Sequence, residues 1–212
     1  MKVLLIHNYY KLAGGEDVVV ENEHRLLERN GHTVIRYNAH NDSVDKMGKA
    51  AAAVNTIWSR TSFQQLDAVI RDNKPDVAHF HNWFMMISPA GYDACRKHGV
   101  PVVQTLHNYR LMCPSAIFYR DGHVCEECMG KFLPMPAIQH SCYRDSKAAS
   151  AVVAGMLAYH KMTATWSRKV DRYIALTEFA RQKFITGGFA ADKLTVKPNF
   201  LAEDPHEGGH YA

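Results

Sequence analysis

Four cysteines, Cys113, Cys125, Cys128 and Cys142, follow one another in the pattern C-x11-C-x2-C-x13-C. A CxxC pair with two flanking cysteines offers four thiolates, the donor set of a tetrahedral zinc site with Zn–S of about 2.3 Å. An iron–sulfur cluster, disulfides and free thiols are the alternatives, and His123 or His140 could replace one sulfur. Cys95 stands apart on a helical stretch and reads as a small buried hydrophobe. A second set of polar residues ends apolar runs. KVLLIHN breaks into a glycine pair, Gly14 and Gly15, ahead of a helical pattern. PDVAHFHNW ends in His81 and Asn82, and VPVVQTLHNYR ends in His107, Asn108 and Arg110. Glycine lets a backbone approach a phosphate closely at a helix amino end, where N–H groups are free. A plain tight turn explains the pair as well. Neither GxGxxG nor GxxxxGK[ST] occurs, so no dinucleotide fingerprint or P-loop is read.

Other candidates are weighed the same way. His79 and His81 are expected on opposite faces of their strand, which leaves His81 with Asn82 at the ligand edge. Thr177 can cap a helix beginning at Glu178, and Glu178 suits the positive end of that helix. Capping is the preferred reading for this pair over direct catalysis. Arg110 and Lys197 could neutralise phosphate, or could simply be solvated.

These residues need a scaffold, and the chain alternates strand and helix patterns. KVLLIHN, HTVIRYN, PDVAHFHNW, VPVVQTLHN, DRYIALT and DKLTVKPNF read as strands. Helices are expected at about 16–30, stopped by Gly31, across 45–73, through SPAGYDACRKHG, across 146–168 and in EFARQKFITGG. Alternating units of this length imply an α/β fold with a Rossmann-like, doubly wound, mostly parallel sheet. Residues 109–147 break the rhythm and read as a cysteine-rich insertion. Residues 205–212 have linker composition. In such a sheet ligands bind outside the carboxyl ends of the strands, where the polar residues above are clustered.

Composition is 47% hydrophobic and 22% charged, ordinary for a globular protein. A net charge of +4 suits anionic ligands without selecting nucleic acid. No apolar run reaches the roughly 20 residues that span a bilayer, and the amino terminus lacks a signal-peptide pattern. A reducing cytoplasm is the expected location, with the inner face of the membrane as a peripheral option. Residues 146–172 mix apolar side chains with Lys147, Lys161, Arg168, Lys169 and Arg172. They could rest on anionic lipid, or pack on the sheet with the basic side in water.

The order strand–Gly-Gly–helix, DVAHFHN, TLHNYR and IALTEFARQKFITGGFAADKLTVKPNF resembles the amino-terminal domain of family-4 retaining glycosyltransferases of the GT-B fold. The likeness runs from Lys2 to about residue 204. It implies an acceptor-side, Rossmann-like domain over 1–204 that shares a cleft with a carboxyl-terminal domain binding a nucleotide-sugar donor. Lys197, Pro198 and Asn199 would lead into the hinge. That second domain, with its Glu-x7-Glu motif, is absent from this sequence, so the chain alone is expected to be inactive or nearly so. The resemblance implies that Gly14 and Gly15 form a substrate-contacting loop. It also implies that His107 hydrogen-bonds the transferred sugar, and a neutral imidazole can both donate to and accept from a hydroxyl. Asn108, Arg110, Thr177 and Glu178 join His81 and Asn82 as candidate substrate contacts.

The expected function is therefore transfer of a sugar from a nucleotide-sugar donor to a carbohydrate or lipid-linked acceptor, of the cell-surface polysaccharide type. Two alternatives differ in class. One is a zinc-stabilised module that binds nucleic acid or protein through the cysteine segment. The two acidic residues inside CEEC argue against nucleic acid as a partner. The other is a sugar epimerase of the same fold, which TLHNYR and the long cysteine segment fit less well.

Overall fold

A computed structural model describes residues 1–11 and 14–201; the linker expected at 205–212 lies outside the described residues. Strand β1 is Lys2–Tyr9, and helix α1, Gly15–Arg29, returns the chain to β2, Thr33–His40. A 3-10 turn at Asn41–Lys46 leads to α2, Lys49–Ile57, and α3, Arg60–Asn73, before β3, Val77–Asn82. Helix α4, Ala90–Lys97, connects β3 to β4, Val102–Leu106. The cysteine-rich segment carries a short hairpin, β5 (Tyr119–Arg120) and β6 (His123–Val124), and helix α5, Met135–Gln139. Helices α6, Lys147–Met162, and α7, Thr165–Arg168, lead to β7, Arg172–Ala175. Helix α8, Glu178–Thr186, precedes the last strand β8, Leu194–Val196.

Six strands form one sheet in the order β2-β1-β3-β4-β7-β8, and every pairing in it is parallel. Chain order reverses direction between β1 and β3, which makes that seam the topological switch point, the place where ligands of open α/β sheets bind. The strands are apolar through both faces: Leu4, Leu5, Ile6, Ala78, Phe80 and Val102 are buried. Helices on both sides of a parallel sheet demand this pattern. Each large aliphatic side chain removed from water contributes about 1.5–3 kcal/mol.

Two helical spans are broken where the sequence reading ran them together. The 45–73 stretch splits at Trp58 and Ser59, because the Ser59 hydroxyl accepts from the Ser62 N–H and starts α3 afresh. The 146–168 stretch splits at Ala164, which takes a left-handed conformation with φ of 54°. Ser146 caps the first part by accepting from the Ala149 N–H.

Candidate functional site

The carboxyl ends of β1, β3 and β4 bring His7, His81 and His107 to one edge, beside the first turns of α1. His7 is fully buried, and its Nε2 lies 2.7 Å from Asp17 Oδ1. The other oxygen of Asp17 accepts from the Gly14 N–H at 2.9 Å. The glycine pair is thus tied through Asp17 and His7 to the strand it follows. The His7 ring lies 6.3 Å from that of His81, and His81 Nδ1 lies 2.9 Å from His107 Nε2. Gly14, Gly15 and His107 therefore share one rim of the sheet. No described atom outside the immediate chain lies within 4 Å of a Cβ built at Gly14 or Gly15.

One expectation is corrected here. His79 and His81 do not divide between the faces of β3; their rings are 4.4 Å apart and both reach the same carboxylate. Residues two apart on a strand share a face. Glu23 Oε2 lies 3.3 Å from His79 Nδ1 and 3.2 Å from His81 Nε2, while Lys197 pairs with Glu23 Oε1. The strand pairing also slips here, with Ile6 opposite Phe80 but His7 opposite Asn82. That bulge makes His81 the extra residue, at the spot where bulges re-aim side chains beside functional sites.

The electrostatics follow from burial. Burial alone would raise the Glu23 carboxyl, but His81, His79 and Lys197 outweigh it and hold it at about 2. Burial keeps His79 and His81 neutral, and burial together with nearby His7 brings His107 down to about 4. Glu16 is pushed up to about 7, by burial first and by Asp17 second. Burial, with Glu16 beside it, raises the Tyr10 phenol to about 12. Glu23 Oε2, His79 Nδ1 and His81 Nε2 lie within 4.8 Å of one another, as a metal-binding trio would. The Lys197 ammonium already neutralises that carboxylate.

A hollow at this edge is lined by Tyr10, His81, Asn82, Phe84, Gln104, His107, Asn108 and Arg110, among others. His107 is partly buried there. The Arg110 guanidinium lies 4.4 Å from the Phe84 ring centre and 5.1 Å from that of Tyr143. It also donates to the Pro114 carbonyl. No carboxylate pairs with Arg110 among the described residues, and burial lowers its pKa. Asn108 and Asn82 are committed within the protein: Asn108 Oδ1 accepts from the Arg110 N–H, Asn82 Oδ1 accepts from the Phe84 N–H, and Asn82 Nδ2 donates to the Asn8 carbonyl. Thr177 Oγ1 accepts from the Ala180 N–H and caps α8, while Glu178 binds Arg181 and Gln182 of the same helix. These contacts give both residues a local role.

None of the four cysteines is in a disulfide; Cys113 and Cys128 are buried and Cys125 and Cys142 are half-buried. Burial raises Cys128 to about 11, and the other three thiols act on it as well. No three of these sulfurs lie within 4.8 Å of one another. A separate apolar cavity of about 220 Å³ involves Cys128, Leu157, Trp166, Tyr173 and Phe189, with Lys131, Lys161 and Lys193 also in its wall. It shares only Leu111 with the hollow at the sheet edge.

Sequence reasoning missed His7, Asp17, Glu16, Tyr10 and Glu23. Glu23 did leave a signal, because it falls on the stripe of α1 that buries Val19 and Val20, where an apolar residue belongs.

The family described as Glycosyltransferase Family 4 has a model that matches residues 13–204. No curated protein matches the chain. Among solved structures, the chain is similar to Staphylococcus aureus MnaA determined with UDP, at 17% identity and a TM-score of 0.50, covering 93% of this chain and 44% of that one. It is similar to UDP-N-acetylglucosamine 2-epimerase from Rickettsia bellii at 13% identity and a TM-score of 0.48, covering 94% and 45%. It is similar to the lipopolysaccharide outer core galactosyltransferase WaaB at 11% identity and a TM-score of 0.45, covering 92% and 45%. The chain therefore spans less than half the length of these structures, and at such identity they speak to the fold alone. No described helix is long and apolar enough to cross a membrane.

Proposed function

The chain belongs to glycosyltransferase family 4, and on that premise we propose that it forms the acceptor-side, amino-terminal half of a retaining transferase. The full enzyme would move a sugar from a nucleotide-sugar donor to a carbohydrate or lipid-linked acceptor of a cell-surface polysaccharide. The observation that carries this reading is the His81–His107 pair at the mouth of the switch-point hollow, with His107 partly exposed and uncharged. A neutral imidazole held there can exchange a hydrogen bond with a sugar hydroxyl, which a charged one could only donate to. Arg110, buried without a carboxylate, suits an acceptor that brings its own negative charge, such as a lipid-linked phosphate. Charge on the departing diphosphate would be stabilised mainly by a second domain, so residues 1–212 alone should bind sugars weakly and transfer none. The work would be done in the cytoplasm, with peripheral contact at the inner membrane face through the basic residues of 146–172.

We also propose that Cys113, Cys125, Cys128 and Cys142 hold a structural zinc. Their support is a common electrostatic neighbourhood in a segment with little regular structure. The sulfurs would have to draw together to reach tetrahedral spacing.

The decisive experiment for the transferase reading is an NMR titration of the histidine side chains with free sugars and UDP-sugars. The expected result is a saturable shift of the His107 imidazole. Absence of any response at His107, coupled with tight, steeply salt-dependent retention on nucleic acid, would replace the transferase reading with a binding module.

A further inference from the structure

We infer that Glu23 is a positioning residue: through His81 it fixes which nitrogen of His107 carries the proton, leaving Nδ1 as a lone-pair acceptor for the substrate. This inference rests on the sugar-binding role proposed for His107, but its structural core can be tested without any sugar.

Glu23 is an ionised carboxylate, held so by Lys197 on one oxygen. Its other oxygen faces His81 Nε2 at 3.2 Å. The approach is not aligned as a hydrogen bond, and His81 Nε2 has no other partner among the described residues. A lone pair on that nitrogen would face a negative oxygen and be repelled, whereas a proton there is attracted. In a neutral imidazole one nitrogen donates and the other accepts. His81 Nδ1 is therefore the acceptor. It stands 2.9 Å from His107 Nε2, so His107 Nε2 must be the donor. That leaves His107 Nδ1 bare. His79 obeys the same logic: its Nδ1 faces the carboxylate at 3.3 Å, and its Nε2 accepts from the Thr105 hydroxyl at 2.8 Å. One buried charge thus sets the orientation of two imidazoles directly and a third at one remove. Such a chain fixes a tautomer much as an outer partner fixes a metal-bound histidine.

The test is 15N NMR of the imidazoles in the ligand-free chain. His107 should show a single tautomer, Nε2 protonated and Nδ1 bare, and so should His81. In Glu23→Gln the neutral amide can present either its oxygen or its N–H to His81, so both histidines should lose their single-tautomer pattern. His160, bonded to the Ile57 carbonyl and Thr165 away from this network, should keep its own pattern and report an intact fold. His81→Phe removes the acceptor while leaving the Glu23 carboxylate and its Lys197 and His79 contacts in place, and should release His107. The proposal is overturned if wild-type His107 carries its proton on Nδ1. It is equally overturned if His107 keeps its pattern in both variants while His160 is unchanged, or if stoichiometric zinc displaces the protons of His79 and His81. A correct tautomer with no response to sugar would leave the relay standing and sink the transferase reading instead.

Discussion

His81 Nδ1 and His107 Nε2 lie 2.9 Å apart, although the two residues come from neighbouring strands and are 26 positions apart in sequence. The pairing consumes one nitrogen of His107 and leaves the other for a ligand. His107→Ala should therefore weaken sugar binding about three- to tenfold, the worth of one neutral hydrogen bond. Titration calorimetry or the NMR titration measures it directly. Thermal stability should fall as well, by about 1–3 kcal/mol, because the truncation leaves the buried His81 Nδ1 without its partner.

Glu16 gives the fold a pH dependence with a definite sign. Its carboxyl is raised by burial from 4.5 to about 7. The fold therefore favours the protonated acid, and this stabilisation is complete below the unfolded value and lost as pH rises through about 7. Between pH 5 and 8 the wild type should lose on the order of 2 kcal/mol from this group. Glu16→Gln should flatten that loss. Urea unfolding across the range separates the two proteins.

The scaffold was largely legible, and the network beneath it was not. Gly31 and Gly99, at φ of 76° and 68°, end helices where the sequence places stops, and only glycine adopts such angles without strain. The runs of β-branched residues gave the parallel sheet because strands buried on both faces need no alternation. Ala164 gave no warning, since nothing about alanine announces a left-handed break. Glu23 meets His79 and His81 only because the fold carries α1 back beside the sheet, more than 50 positions away in sequence, and such convergence has no local spacing. The placement of His79 and His81 went wrong for a simpler reason: the strand repeat is two, which puts them together.

Thr177 offers a clean separation of a local role from a ligand role. Its hydroxyl caps α8 at 3.0 Å from the Ala180 nitrogen. Thr177→Ala should cost about 1 kcal/mol of stability, and Thr177→Ser should restore most of it. If sugar binding is unchanged in both variants, capping accounts for the residue. Denaturant midpoints and the titration together decide.

Gly91 is held to glycine by packing. A Cβ there would meet Phe80 Cε1 at 2.8 Å, and Phe80 is fully buried on β3. Gly91→Ala should destabilise by about 1–3 kcal/mol despite the better helix propensity of alanine. A thermal melt checks this, and a rise in stability would mean the ring moves aside freely.

For the cysteines, elemental analysis of protein purified without chelator should find about one zinc per chain. Cys125→Ser with Cys128→Ser should abolish it and loosen the segment, since structural zinc contributes folding energy outright. A metal content near zero ends the zinc proposal.

Asn82 ties two stretches of backbone into one knot. Its amide joins the end of β1 at Asn8 to its own chain at Phe84, and Asn8 in turn donates to the Phe84 carbonyl and to Asn41. The base of the hollow is thereby laced together from inside, although Asn8 Oδ1 stays buried without a partner among the described residues. Changes of preference among ligands must then arise at the outer lip, near Tyr10 and Asn108, because altering the knot would unravel the floor before it could reshape it.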